Sequence, residues 1–340
     1  MRLEGEAVHS WATIAIGAIL SRGIGFPNRM PPYSNLQMGL PQEAETRPAR
    51  GKLGAMWALA RPYQWIKNAV IFAALVFSHR LFHPRDLALA CVAVIAFCAI
   101  SSLAYVINDI SDRESDREHP LKQNRPLASG ELDVSDAIPM AAVLTAIGAV
   151  LSLALGPAFV CIVLLYVALQ LGYSLFLRQM VIVDVISIAI GFVLRAFAGG
   201  VAIDVEVSPW LVFITFVLAL LLALARRRQE LIALGPVATI HRSALSEYNV
   251  PLIDQMISIV AGATLVGYMI YTASPEVEHK LGTSHLYLTV PFVVLGILRY
   301  LYLIHEGGEG GDPARLLLKD RTLLISVVLW IATDIALLYS

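Results

Sequence analysis

The sequence predicts an all-α protein, a polytopic membrane bundle of about nine transmembrane helices, and three observations carry that reading. Of the 340 residues, 57% are hydrophobic and only 15% are charged, well under the roughly 25% charged of an ordinary soluble domain. The mean hydropathy is +0.70. Apolar stretches of roughly 17–25 residues, enough to cross a ~30 Å hydrocarbon core as helix, recur along the chain. Lipid forbids open sheet edges, so helices are the economical way to satisfy the backbone. Lys plus Arg is 25 and Asp plus Glu is 26, and the net charge of −1 excludes both a basic nucleic-acid binder and an acidic disordered chain.

Residues 1–52 carry Pro27, Pro31, Pro32, Pro41 and Pro48 and one apolar run, Trp11 to Leu20, too short to span. Glu4 and Glu6 stand where a signal peptide needs cations. The segment reads as a disordered cytoplasmic tail, or as an over-long start with Met38 or Met56 as the initiator, ahead of a membrane domain over 53–340. The nine crossings are expected at about 64–82, 87–109, 137–155, 157–177, 181–203, 209–228, 252–273, 286–305 and 321–339. Ser208-Pro209 reads as an N-cap followed by proline at the first helical position, and Gly156-Pro157 as a tight hairpin. The loop 229–251, broken by Gly235-Pro236, carries a short helical pattern from His241 to Tyr248 able to lie over the bundle as a lid. Cys91, Cys98 and Cys161 lie in apolar runs without metal or disulfide spacing and read as small core residues.

Placing the N-terminus in the cytoplasm puts thirteen Lys and Arg in the inside loops and three in the outside loops. The bias orients the long charged loops inward and the C-terminus outward.

The chemistry gathers on those inside loops. At the inner end of the second run stands Asn108-Asp109-Ile110-Ser111-Asp112-Arg113-Glu114-Ser115-Asp116, the pattern NDxxDxxxD. On a helix, Asp109, Asp112 and Asp116 fall at i, i+3 and i+7, one face. Three carboxylates so placed suit Mg²⁺, which takes one or two carboxylates together with substrate phosphates. A solvated helix end, neutralised by Arg113 and Arg117, is the other reading. Asp109 follows directly on an apolar run, where an ionisable group is costly and usually functional. Lys122 and Arg125 come next and are candidate phosphate ligands, although positive-inside topology also places cations there.

Lys67, in Arg61-Pro62-Tyr63-Gln64-Trp65-Ile66-Lys67-Asn68, serves either a bound anion or simple snorkelling. Tyr173, Arg178 and Asp184 cluster between the fourth and fifth runs, and Arg195 lies deeper and needs a partner inside the bundle. Arg226, Arg227, Arg228 and Glu230 follow the sixth run. Three adjacent arginines cannot share one helix face, so at most two aim at a single anion. Arg242-x-x-Leu-x-x-Tyr248 and the stretch Pro313 to Arg321 lie on the same side. Nucleotide-loop, serine-elbow and zinc-protease motifs are absent.

NDxxDxxxD at the inner end of the second of nine apolar runs resembles the UbiA superfamily of intramembrane prenyltransferases, over about 61–340. Most such enzymes carry a second Asp-rich motif after helix six, where this chain has ALARRRQEL. RPYQWIKN, NDISDRESDREHPLKQNRPLASG, YSLFLRQMVIVDV with GFVLRAFAGG, ALARRRQEL and LLLKDR together are similar to the branch that transfers phosphoribose to decaprenyl phosphate. The resemblance implies a UbiA-like bundle in the plasma (inner) membrane, with 5-phosphoribosyl diphosphate as donor and a polyprenyl phosphate as acceptor, serving cell-wall arabinan precursor synthesis. It implies Mg²⁺ held by Asp109, Asp112 and Asp116, catalytic work for these and Lys67, and orientation of metal and ribose by Asn108 and Asp112. Lys67, Arg125, Arg178 and Arg226–Arg228 would divide between the donor's 5-phosphate and the acceptor's phosphate. Lys122, Tyr173, Asp184 and Glu230 join the substrate-binding set. Backside attack would invert C1. An aromatic prenyltransferase using an allylic diphosphate is the alternative, and a lipid or solute transporter a third. The bilayer is an implied partner, nucleic acid is not, and a homo-oligomer is left open.

Overall fold

A computed structural model describes residues 51–118, 122–234, 247–306 and 312–340. Residues 1–50 of the expected tail, and most of the 229–251 loop with its helical pattern from His241, lie outside the described residues. Among the described residues the regular secondary structure is all helical. The elements are α1 (Lys52–Ala60), a 3₁₀ helix (Pro62–Ile71) and α2 (Phe72–Phe77), then α3 (Pro84–Ser111), α4 (Arg113–Glu118) and α5 (Pro126–Ser129). There follow α6 (Val134–Ala154), α7 (Pro157–Leu175), α8 (Val183–Ala202), α9 (Pro209–Leu234) and α10 (Val250–Thr272). The chain ends with α11 (Pro275–Leu281), α12 (Val290–Glu306, led by the 3₁₀ turn Leu286–Thr289), α13 (Pro313–Lys319) and α14 (Arg321–Tyr339).

Among the described residues, eight helices are long and apolar enough to cross a membrane: α3, α6 to α10, α12 with its leading turn, and α14. Their positions follow the expected runs closely. Gly156, at φ 99, makes the reversal into Pro157, and the Ser208 hydroxyl accepts a hydrogen bond from Trp210 N at 3.3 Å ahead of α9.

The first expected crossing, 64–82, is built differently. Arg61 leaves α1 in the left-handed region at φ 55, and the chain continues as ten residues of 3₁₀ helix before α2. At ~2.0 Å per 3₁₀ residue and ~1.5 Å per α residue this pair reaches about 29 Å, close to a full crossing in fewer residues. The threefold repeat also sorts the side chains. Lys67 and Val70, three apart, line a cavity, while Asn68 and Ile71 are buried. The Trp65 indole donates to Ser102 Oγ at 2.9 Å, and Arg195 Nε donates to Asn68 Oδ1 at 2.8 Å. Gly199 of α8 lets the backbones meet, since a Cβ there would stand 2.1 Å from the Ile71 carbonyl oxygen.

The long helices pack in a closed sequence of neighbours. The helix α3 lies on α6 and on the 3₁₀ segment, α7 on α8, and α9 between α8 and α10, with α12 and α14 following. Phe97, Phe159, Tyr166 and Ile71 form one buried cluster. Val185, Leu221, Ile253, Ile257 and Tyr300 form another. Closure comes at both ends. The Tyr339 hydroxyl donates to the Val76 carbonyl at 3.1 Å and accepts from Leu81 N at 2.9 Å. At the charged end, Gln64 Nε2 donates to Asp312 Oδ2 at 2.9 Å. Outward positions such as Leu153 and Ile259, about 70% exposed, form the apolar belt a lipid-facing bundle needs. The expectation of core cysteines is corrected here. Cys91 and Cys161 are exposed and Cys98 is half-buried, because a thiol is a small apolar group that lipid accommodates as well as a core does.

Candidate active site

The described charged motifs of the inside loops are tied together by ion pairs and hydrogen bonds. The helix α3 stops at Ser111 and Asp112 takes a non-helical φ of −91 before α4 begins. The three aspartates of NDxxDxxxD are thereby divided. Asp109 and Asp116 are buried, at 2% and 1% exposure, and share one guanidinium: Arg125 Nη1 donates to Asp109 Oδ1 at 3.0 Å and to Asp116 Oδ2 at 2.5 Å. Arg61 Nη2 donates to the same Asp109 oxygen at 2.6 Å and its guanidinium stacks over Tyr105. Asp112 is engaged by Arg178, Nη1 at 2.9 Å and Nη2 at 3.4 Å. Asn108 Oδ1 accepts from the Ser174 hydroxyl at 2.7 Å.

Two carboxylate oxygens of this layer, Asp109 Oδ2 and Asp116 Oδ1, are buried without a hydrogen bond. Lys122 Nζ lies 3.6 Å from the latter. Burial, with Arg125 beside it, holds the Lys122 ammonium below the usual lysine value. Two hard oxygens without hydrogen bonds, beside cations, fit Mg²⁺ bound by two carboxylates and by phosphate oxygens. Among the described residues no three His, Cys, Asp or Glu side chains converge on one point, so the third carboxylate stands apart with Arg178.

Below the carboxylate layer lies a cavity of about 420 Å³, walled by α8, α9, α10, α12 and α14. Its lining is apolar apart from Lys67 and Arg226 and a few hydroxyls, with Tyr268 and Trp330 also on its wall. The Trp330 indole donates to Tyr268 Oη at 2.7 Å. Lys67 has no carboxylate within ion-pair distance among the described residues.

The three consecutive arginines go three ways, as one per 100° of helix requires. Arg226 faces the cavity and pairs with Glu230 at 3.3 Å. Arg227, 2% exposed, forms an ion pair with Asp184 at 2.9 Å and another with Glu230, and donates to Tyr173 Oη at 3.1 Å. Arg228 is paired with Asp254 at 2.6 Å and donates to the Ile304 carbonyl at 2.9 Å, tying α9 to α10 and α12. Asp184 is 0% exposed and takes its contacts from Arg227 and Tyr248. Arg195 finds its partners in Asn68, the Gly191 carbonyl and Tyr166 Oη, stacked over the Tyr166 ring, with no carboxylate among them. Arg61 and Tyr248 were legible as members of their motifs, but not their partners. Arg61 is 48 positions from Asp109 and Tyr248 is 64 from Asp184, and no local pattern encodes such pairings.

Residues 69–318 match the UbiA prenyltransferase family. The chain belongs to the UbiA prenyltransferase family. It is 31% identical over 299 residues to a decaprenyl-phosphate phosphoribosyltransferase of Corynebacterium glutamicum, covering 86% of this chain and 89% of that one. A protein of the same name from Mycolicibacterium smegmatis is 32% identical over 303 residues, covering 86% and 95%. Among solved structures, a UbiA homolog from Archaeoglobus fulgidus bound to GPP and Mg²⁺ superposes with a TM-score of 0.63 at 19% identity, covering 84% of this chain and all of that one. The UbiA chain described here is thus a multi-pass membrane transferase, and its charged end and cavity are the candidate active site.

Proposed function

We propose that the protein transfers 5-phosphoribose from 5-phosphoribosyl diphosphate to a polyprenyl phosphate such as decaprenyl phosphate, releasing diphosphate, with Mg²⁺. The observation that carries the reading is two cationic sets of different make-up, joined through Glu230, which pairs with Arg226 and lies near enough to act on Lys122. One mixes carboxylates with Arg125, Lys122 and Arg178, as a metal–diphosphate donor needs. The other is the pair Lys67 and Arg226 on an apolar cavity, as the phosphate of a lipid acceptor needs. The relatives named for this reaction support the same assignment.

Asp109 and Asp116 would hold Mg²⁺, which when bound stabilises the charge that grows on the departing diphosphate. Arg125 and Lys122 neutralise the same charge from the protein side. Lys67 and Arg226 hold the acceptor phosphate while the prenyl chain lies in the cavity. The C1–oxygen bond to diphosphate breaks and its electrons leave with that group, while an acceptor phosphate oxygen forms the new bond from the opposite face. That oxygen is already anionic, so no general base is called for, and an α-donor gives a β-linked product. A water-soluble donor reaches this end from the cytoplasm, which agrees with the excess of Lys and Arg in the same loops. The bilayer is then the plasma membrane.

The test is transfer of radiolabel from phosphoribosyl diphosphate into the organic phase by purified protein in detergent, with polyprenyl phosphate and Mg²⁺. Label should move, and EDTA should stop it. Label that stays aqueous while an allylic diphosphate is consumed with an aromatic acceptor would replace this reading with aromatic prenyl transfer.

A further inference from the structure

The connection between α7 and α8 contains a backbone feature that neither motif nor mechanism explains. Ile182 has φ 68 and ψ −43, and Val183 N donates to the Val181 carbonyl at 2.8 Å. This is a γ-turn with positive φ, a rare and strained reversal, on a β-branched residue for which such a φ is a true outlier. Strain of this kind persists only where the surroundings over-determine it, and it clusters at functional sites.

Asp184 N donates to the Met180 carbonyl at 3.0 Å across the turn, and one hydroxyl from outside the connection ties it down. Tyr248 Oη accepts a hydrogen bond from Ile182 N at 2.7 Å and donates to Asp184 Oδ1 at 3.0 Å. The phenol is 5% exposed and packs in the core with Val185, Leu221 and Leu224. Burial, with the Asp184 carboxylate beside it, pushes the phenol up to about 12, so the proton stays on the oxygen at working pH. The clamped turn lies between two ion pairs. Four residues before Ile182, Arg178 grips Asp112. Two residues after it, Asp184 is paired with Arg227.

We propose that Tyr248 is a positioning residue whose hydroxyl clamps the Ile182 turn and thereby sets the reach of Arg178 into the carboxylate layer where the donor binds. It touches no substrate and acts through Arg178. The proposal rests on the reading that this layer takes the donor diphosphate.

The test compares full-length wild type, Tyr248→Phe, Ile182→Gly and the double variant, purified in detergent. In Y248F the amides of residues 180–184 should exchange with deuterium faster. The KM for 5-phosphoribosyl diphosphate should rise about tenfold, the scale of one lost hydrogen bond, with the KM for polyprenyl phosphate within about twofold. I182G alone should keep the wild-type donor KM, because glycine takes a positive φ without strain. I182G/Y248F should recover most of the loss. An unchanged donor KM in Y248F, an equal rise in both KM values, or a double variant no better than Y248F would overturn the proposal. Should Y248F aggregate, restored folding in the double variant supports the clamp and aggregation of both refutes it. A wild type that transfers no phosphoribose fails the functional reading instead. In that case exchange decides the clamp: faster in Y248F and restored by I182G supports it, and unchanged exchange sinks it.

Discussion

Asp109 and Asp116 meet at a single guanidinium, that of Arg125, and each keeps one buried oxygen without a hydrogen bond. Replacing either carboxylate with its amide keeps the shape and removes the charge that a divalent cation requires. Asp109→Asn and Asp116→Asn should each lower Mg²⁺-dependent kcat by about 10²-fold or more, with the thermal midpoint little changed. Full activity in either variant would remove that residue from the metal set. Lys122 is the second test at this scale. Its ammonium sits below the ordinary lysine value because burial and Arg125 disfavour the charge, so it sheds its proton earlier as pH rises. Donor KM should therefore climb on the alkaline side in the wild type, while Lys122→Arg, whose guanidinium does not titrate there, should flatten that limb. Identical alkaline limbs would show that Lys122 does not contact the donor.

The 3₁₀ segment Pro62–Ile71 is the element on which the site depends most. Its threefold period aims Lys67 and Val70 at the cavity and turns Asn68 toward Arg195. Close approach of α8 sets that geometry, and Gly199 permits it. A methyl at this position has no free space and would push the Ile71 backbone away. Gly199→Ala should cost about 1–3 kcal/mol by overpacking, read as a lower thermal midpoint, and should weaken acceptor binding as Lys67 shifts. A variant as stable and active as the wild type would show that the two backbones have room to part.

Across the whole molecule, the proposed reading makes the cavity the acceptor region and the carboxylate layer the donor region. Leu222 lines that cavity and belongs to α9, away from the carboxylates. Leu222→Trp should fill the space, raising acceptor KM about tenfold or more while donor binding, followed by titration calorimetry with 5-phosphoribosyl diphosphate and Mg²⁺, stays as in the wild type. Loss of both affinities together would mean that the two regions are one. The bundle is fastened at both ends, by Gln64–Asp312 at the charged one and by Tyr339 with Val76 and Leu81 at the other.

Composition and periodicity alone determined the helical membrane architecture, eight of the crossings to within about six residues at either end, and the gathering of charge on one set of loops. Those properties are local: a spanning length, a capping proline and a run of carboxylates are each written in contiguous residues. The aspartate pattern was legible as a candidate metal motif, which the proposed function carries forward. Only the tertiary structure decided that the first crossing is largely 3₁₀, because the close contact with Gly199 comes from a helix more than a hundred positions away. It alone parted Asp112 from Asp109 and Asp116, sent Arg226, Arg227 and Arg228 to three different partners, and seated Tyr248 on Ile182. Counter-ions and clamps are chosen by distance in space, and buried charge takes whichever partner packing brings within reach.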